Sequence, residues 1–259
     1  METTLFGTRW AGCAVQRHEQ TDSTNTRGRA WLAQGAPHGA LVIAKTQTEG
    51  RGRLSRAWLS QPGGLYLSLL LHPAFPARLA PRIVFAAALA MAQALDAACN
   101  VKAQIKWPND ILANGRKICG ILLENTADGL IVGLGLNVNQ RDGLDALNHP
   151  ATSLTLLLER EIDADAVLTA FLQAFEVRYA QCAEDFPALL GDLQAVSATL
   201  GRTVRVLPAR EDGDAQPYTA RAISFGEEGQ LIVEADGQLR AVYAGDVSVR
   251  GLSPDRPLT

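Results

Sequence analysis

The sequence predicts an α+β protein, a mixed sheet backed by helices, followed by a small β-barrel. Three observations carry this. Up to about Leu200, β-branched and leucine-rich runs closed by turn residues alternate with helical stretches. The alanine-rich run Ile83 to Leu95 follows Pro81, a good first-turn residue, and reads as a core helix against the sheet. Beyond Leu200 the pattern changes to short β segments separated by glycine, proline and acidic turns. The division falls at 1–198 for the larger domain and 199–259 for the smaller one.

Taken in order, the first helix is expected from Ser23 to Ala33. Asp22, Ser23 and Thr24 are N-cap types, Ala30, Trp31 and Leu32 supply the apolar pattern, and Gly35 ends it. Strands follow at Ala40 to Gln47 and Leu65 to Leu71, then the Pro81 to Ala98 helix and a short strand at Gln104 to Trp107. Pro108 lacks a donor and restricts Trp107, so the chain must turn there. Asn114-Gly115 is a second turn signal and returns the chain into strands at Lys117 to Asn125 and Leu130 to Val138. A last long helix is expected at Asp163 to Cys182. The barrel segments are Thr203 to Leu207, Ala220 to Ser224, Leu231 to Glu234, Leu239 to Tyr243 and Val247 to Val249.

The chain has 259 residues, 47% hydrophobic, with formal net charge −3, which excludes general disorder and gives no basic excess for non-specific nucleic-acid binding. Cys13, Cys99, Cys119 and Cys182 show no C-x-x-C spacing and read as reduced, mostly buried thiols of a cytoplasmic protein. The N-terminus lacks a secretory pattern, and the Ile83 to Leu95 run is too short to span a bilayer, so no membrane association is expected. Isolated histidines give no zinc pattern, and neither G-x-S-x-G nor a Walker A sequence occurs.

Chemistry concentrates in five segments. Lys106-Trp107-Pro108-Asn109-Asp110 and Arg116-Lys117-Ile118-Cys119-Gly120-Ile121-Leu122-Leu123-Glu124 place charged side chains around one hairpin mouth. Taken alone, that is an ordinary solvated turn. Asp22-Ser23-Thr24-Asn25-Thr26 opens a helix whose unpaired N–H groups and hydroxyls suit a small polar head group. Gly50-Arg51-Gly52-Arg53, with Arg56 and Trp58 after it, is a basic loop whose guanidinium forks suit carboxylate and phosphate oxygens. Gly133-Leu134-Gly135-Leu136-Asn137 is a strand whose glycines mark a close approach to the backbone, without the third glycine of a dinucleotide fingerprint.

Together, KWPNDI, RKICGILLE, DSTN, GRGR and GLGLN resemble the motifs of biotin protein ligases (biotin–[acetyl-CoA-carboxylase] ligases), from about Asp22 to Asn139, with Ala151-Thr152-Ser153-Leu154 as a weaker echo. The resemblance implies a class II aminoacyl-tRNA synthetase-like catalytic domain and an SH3-like C-terminal domain. It implies activation of biotin by ATP to biotinyl-5′-AMP with loss of pyrophosphate, then transfer to a lysine of a biotin carboxyl carrier domain. Lys117, Arg53 and Asp110 carry over as catalytic, Lys117 at the biotin carboxylate and α-phosphate and Asp110 as the group that helps deprotonate the incoming lysine. Ser23, Thr24, Asn25, Gln47, Gly50, Arg51, Arg53, Lys117 and Gly120 carry over to biotin. Arg51, Arg53, Arg56, Trp58, Asn109, Lys117 and Asn137 carry over to ATP and the adenylate. Magnesium is expected with the ATP phosphates.

Two alternatives stay open. A lipoate or octanoate ligase shares the architecture, although KWPND and GRGR are those of the biotin branch. A DNA-binding regulator needs an N-terminal helix-turn-helix, and only about twenty residues precede Asp22, which favours the monofunctional type without DNA binding. Either a monomer or a homodimer is compatible with the chain. The apolar Leu130 to Val138 segment is the expected dimer edge, as relatives suggest.

Overall fold

The structure, a computed structural model, describes residues 4–144, 147, 149–207, 216–243 and 246–249; the ends of the two expected domains, 1–3 and 250–259, lie outside them. The elements of the larger part are β1 (Val15–Thr21), α1 (Thr24–Leu32), β2 (Leu41–Gln47), β3 (Leu65–Leu71), α2 (Arg82–Cys99), β4 (Ala103–Lys106), β5 (Asp110–Ala113), β6 (Arg116–Thr126), β7 (Gly129–Leu136), α3 (Leu154–Leu158), α4 (Ala164–Glu184) and α5 (Phe186–Ala195). Its seven-stranded sheet has the order β1-β2-β3-β7-β6-β5-β4 and is antiparallel except for the parallel β1–β2 pair. The smaller part is a five-stranded antiparallel sheet of β8 (Thr203–Leu207), β9 (Tyr218–Phe225), β10 (Leu231–Ala235), β11 (Gln238–Val242) and β12 (Asp246–Val249), in the order β11-β10-β9-β8-β12.

Alternation along the strands divides the large sheet into two faces. Leu65, Leu67, Leu69 and Leu71 of β3 and Leu130, Val132, Leu134 and Leu136 of β7 join the core formed with α2 and α4. Tyr66, Ser68 and Leu70 of β3 and Ile131, Gly133 and Gly135 of β7 point the other way, where α1 packs Gly28 against Leu70 and Ile131. A Cβ on Gly28 would stand 2.7 Å from a Leu70 methyl, so the glycine is what lets α1 lie this close.

Several elements were not legible. β1, VQRHEQT, is a polar edge strand with no apolar alternation. α5 carries Pro187 and Gly191, breaker signals, but Asp185 caps it by accepting from the Ala188 N–H, and the proline sits in its first turn where no partner is lost. Two expectations are corrected. The Leu130 to Val138 segment is not an edge: β7 lies in mid-sheet with both sides paired, to β3 and β6, so no partner strand can add there. The core helix has the 18 residues that Pro81 to Ala98 implied, set one position later, and by length and composition it is long enough to cross a membrane, which the Ile83 to Leu95 run taken alone was not. It is the core helix, packed along α4 and under the sheet.

The outer edge of β4 is covered by the chain leaving α5, with the Ile105 N–H donating to the Val196 carbonyl and the Ala198 N–H to the Ile105 carbonyl. At the opposite end Glu176 of α4, buried, accepts from the backbone N–H groups of Arg9, Trp10 and Ala11 and so ties the N-terminal segment to the core.

Candidate active site

One row of residues crosses the site face of the sheet: Lys106 on β4 faces Asp110 on β5, Asp110 faces Gly120 on β6, Gly120 faces Gly135 on β7, and Gly135 faces Tyr66 on β3. Charges at one end and side-chain-free positions in the middle make a shallow floor beside a cationic wall. Next along β7 lies Gly133, on the same face.

Lys117 joins this face through an irregularity. From Ile111–Cys119 the pairing steps to Leu112–Lys117, so β6 holds one residue more than β5. Such a bulge reverses the inward and outward alternation locally. Ile118 and Cys119 both become fully buried, and the Lys117 ammonium emerges 2.6 Å from an Asp110 oxygen and 5.1 Å from the Trp58 ring centroid. The Lys106 ammonium is 4.0 Å from the other Asp110 oxygen. Burial pushes the Lys106 pKa down, against the opposing pull of Asp110. Arg53 is likewise pushed down by burial, which Asp110 opposes and Arg56 reinforces.

The loop between β2 and β3 is a miniature hairpin. Arg51 bridges Ala57, the Gly52 N–H donates to the Arg56 carbonyl and the Trp58 N–H to the Gly50 carbonyl. Its tip, Arg53–Ser55, is one 3₁₀ turn with Leu54 at φ 55°, a left-handed geometry that costs a branched residue energy. From the tip Arg53 donates to the Asn109 side-chain oxygen at 3.1 Å, while the Asn109 amide donates to the Ile121 carbonyl at 2.6 Å, locking the Trp107–Asn109 turn onto β6. Trp107-Pro108 is a cis peptide.

The expected biotin residues gather at the start of α1. The Thr24 N–H and hydroxyl both donate to the Gln47 side-chain oxygen, at 2.7 and 3.1 Å, and the Gln47 amide donates to Ser60 at 2.8 Å. Ser23 is the buried N-cap, with no side-chain capping bond. Hydrogen bonds from the Ser23 N–H and the Thr21 hydroxyl, with Arg27 nearby, hold the Asp22 carboxyl below its usual range. Gly50 is required because a Cβ there would overlap Ser60 and the Trp58 carbonyl.

The glycines of β7 lie under two of the protein's own side chains. A Cβ at Gly133 would overlap the Asn25 amide, one at Gly135 the Trp58 indole, and one at Gly120 would stand 2.9 Å from the Trp58 ring. The close approach is therefore by the protein's own side chains. Both leave a donor behind: the Asn25 amide nitrogen and the Trp58 indole nitrogen are buried without a hydrogen-bond partner, although Asn25 accepts from Ser68 at 2.6 Å. Buried orphan donors are costly unless something completes them.

Asn137, buried, donates to the Thr152 carbonyl at 3.0 Å, and its own N–H donates to the Ile118 carbonyl. The Pro150–Thr152 segment pairs with Lys117, so the ATSL echo lies against the bulge. Between Trp58, Lys117, Asn137 and His149 is a cavity of about 30 Å³, room for one or two waters. Arg51 is the residue the structure does not bring to Lys117: it donates to the Thr26 hydroxyl at 2.9 Å and pairs with Glu124 at 3.7 Å. Arg56 is exposed, and its charge is felt by Arg53, Lys106 and His149. Lys106 was missed as a site residue although the KWPND string contains it, and Ser60 and Ser68 gave no local signal at all.

The family model described as Biotin/lipoate A/B protein ligase family matches residues 18–140. The chain is 34% identical over 241 residues to the Bifunctional ligase/repressor BirA of Bacillus subtilis, covering 90% of this chain and 73% of that one. It is 34% identical over 235 residues to the Biotin--[acetyl-CoA-carboxylase] ligase of Mycobacterium tuberculosis, covering 88% of this chain and 86% of the relative. Among solved structures, the biotin protein ligase from Aquifex aeolicus in complex with biotin and ATP superposes with a TM-score of 0.81 at 30% identity, covering 92% of this chain and 98% of that one.

Proposed function

The chain belongs to the biotin/lipoate A/B protein ligase family, and from that premise we propose how its residues divide the work of a biotin protein ligase. The enzyme activates biotin with ATP and biotinylates a carrier protein; biotin and not lipoate is the substrate of the relatives it matches. The observation that carries the site assignment is the cluster of Lys117, Lys106 and Arg53 around Asp110, facing the glycine floor.

In the first step a biotin carboxylate oxygen bonds to the α-phosphorus and pyrophosphate leaves. Negative charge grows on the α-phosphate oxygens, and fixed cations held in a dry site stabilise it without reorganising. Lys117 supplies that charge, kept in place by Asp110; Lys106 and Arg53 supply the rest. In the second step the carrier's lysine amine attacks the acyl carbon of the mixed anhydride and AMP leaves. Asp110, between two ammoniums, is the proposed acceptor of the proton the incoming lysine must shed. Thr24, Gln47, Ser23 and Asn25 take the biotin head group, with the orphan Asn25 donor aimed at the floor. Gly50 and Gly120 let Ser60 and Trp58 pack close beside it. Trp58, Asn109, Asn137, Arg53 and Arg56 take the adenylate, and Arg51 stays with the loop.

Among the described residues no group of three His, Cys, Asp or Glu could hold a metal ion. That donor set fits magnesium carried by the triphosphate, where it would neutralise phosphate charge, and not a protein cage. The partner we propose is a biotin carboxyl carrier domain, and we place the reaction in the cytoplasm, where the four free cysteines stay reduced.

The test is incubation with ATP, biotin and a carrier domain, read by mass spectrometry for biotin on a carrier lysine. Calorimetry with biotin and with lipoate checks the substrate. No carrier labelling, or tighter binding of lipoate, would overturn the reading.

A further inference from the structure

Glu124 closes the RKICGILLE string, and none of the steps above uses it. It lies on the site face of β6, opposite Ile131, four residues beyond Gly120 and therefore roughly 13 Å along the strand from the reaction floor. At that distance its carboxylate cannot touch the reacting atoms. Its side chain is 17% exposed and takes two arginines: Arg29 of α1 at 3.2 Å and Arg51 of the loop at 3.7 Å. Arg51 is held a second time, by the Thr26 hydroxyl on α1.

We infer that Glu124 is a positioning residue for the arginine loop, acting through Arg51. The stem of the loop hairpin is fastened to α1 and β6 through Arg51, and its tip is fastened to the KWPND turn through Arg53 and Asn109. With the stem anchored, the short Gly50–Trp58 hairpin can place the Trp58 ring over Gly120 and Lys117 and Arg53 against Asn109. Without the anchor, the two glycines flanking Arg51 leave the stem free to swing. Arg51 is 41% exposed, so solvent screens its pairing with Glu124 and holds down what the pair contributes to global stability; its effect falls on loop placement. The consequence for catalysis rests on the ligase reading, while the effect on the loop does not.

Trypsin reads the loop directly, because Arg51, Arg53 and Arg56 all lie in it. Glu124→Gln keeps the shape and removes the charge; Thr26→Val removes the second anchor; Arg29→Gln leaves the Glu124 to Arg51 contact in place. The expected result is cleavage within the loop roughly two- to fivefold faster in Glu124→Gln and faster in Thr26→Val, the range one solvent-screened pair of up to about 1 kcal/mol allows, with Arg29→Gln like the parent. Thermal melts of the three should match the parent. In the ligase assay Glu124→Gln should raise KM for biotin and increase labelling of a bystander protein, with kcat for adenylate formation held. A loop equally protected in Glu124→Gln and Thr26→Val, or cleaved as fast in Arg29→Gln, overturns the inference. Should Glu124→Gln fail to fold, Thr26→Val against Arg29→Gln decides it. The protease result needs neither biotin nor ATP, so it stands apart from failure of the ligase reading itself.

Discussion

The indole N–H of Trp107 donates to the backbone carbonyl of Gly229 at 3.0 Å, linking the turn that carries Lys106, Asn109 and Asp110 to the β9–β10 turn of the small sheet. The Trp107 backbone N–H is also taken, by the Thr199 hydroxyl at 2.9 Å. Gly229 is at φ 84°, and a Cβ there would overlap the Phe85 ring. The smaller part of the chain thus helps set where the Lys106–Asp110 turn sits. Trp107→Phe should cost about 1–3 kcal/mol, because it strands a buried carbonyl and removes ring volume. It should also lower adenylate formation. Urea unfolding with a pyrophosphate-release assay checks both. Unchanged activity in a folded variant would mean the contact is structural only.

Lys117→Ala should reduce pyrophosphate release by roughly 10²- to 10³-fold, the effect of removing one group aimed at developing charge. The fold should persist, since Lys117 is not a core residue and Ile118 and Cys119 keep the bulge buried. Normal pyrophosphate release would remove Lys117 from the chemistry.

Arg53→Gly removes the forked donor that reaches Asn109 and frees the loop tip. Adenylate formation should remain measurable, since Lys117 and Lys106 are untouched. Biotin should then spread to bystander lysines, read as labelling of albumin relative to a carrier domain. Selectivity equal to the parent's would show that another group retains the intermediate.

Gly135→Ala tests the floor. The added methyl would overlap the Trp58 indole and push it off the sheet. Biotin affinity should fall by roughly tenfold or more, the equivalent of about 1.4 kcal/mol, while the circular dichroism spectrum stays that of the parent. Affinity unchanged by calorimetry would show that Trp58 does not shape the biotin site.

Glu176 gives the pH prediction. Burial alone would raise its pKa, but the N–H groups of Arg9, Ala11 and Trp10, with Arg9's charge, together hold it below the usual 4.5. A depressed carboxyl stabilises the fold fully above that value, and the contribution is lost as pH falls through the folded pKa. Glu176→Gln should therefore lower stability at pH 7 by on the order of 2 kcal/mol, the worth of charge-assisted bonds. Its urea midpoint should fall less than the parent's between pH 5 and 3. Parallel curves would show that other carboxylates dominate acid unfolding.

How much of this was legible can be traced residue by residue. β2, β3 and the long core helix follow from runs of apolar residues and their punctuation, which are local properties. The β5–β6 turn follows from Asn114 and Gly115, both at positive φ as Asn-Gly turns require. Lys117, Arg53, Gln47 and Asn137 came from strings that resemble the family's motifs. What the strings could not carry was orientation. Strict alternation would put Lys117 on the Cys119 side, in the core; only the extra residue paired against β5 brings it out beside Asp110. The glycines of β7 announced a close approach, but Trp58 and Asn25 as the approaching groups depend on contacts far apart in sequence. The anchoring of Arg51 by Glu124 and of Trp107 by Gly229 is of the same kind. The sequence by itself determined most of the strands and helices and the strings in which charged and glycine residues gather, because those depend on neighbours along the chain. Register, the facing of side chains and the pairing of distant charges were decided by the tertiary structure, because each is a contact between segments whose relative placement exists only once the sheet has closed.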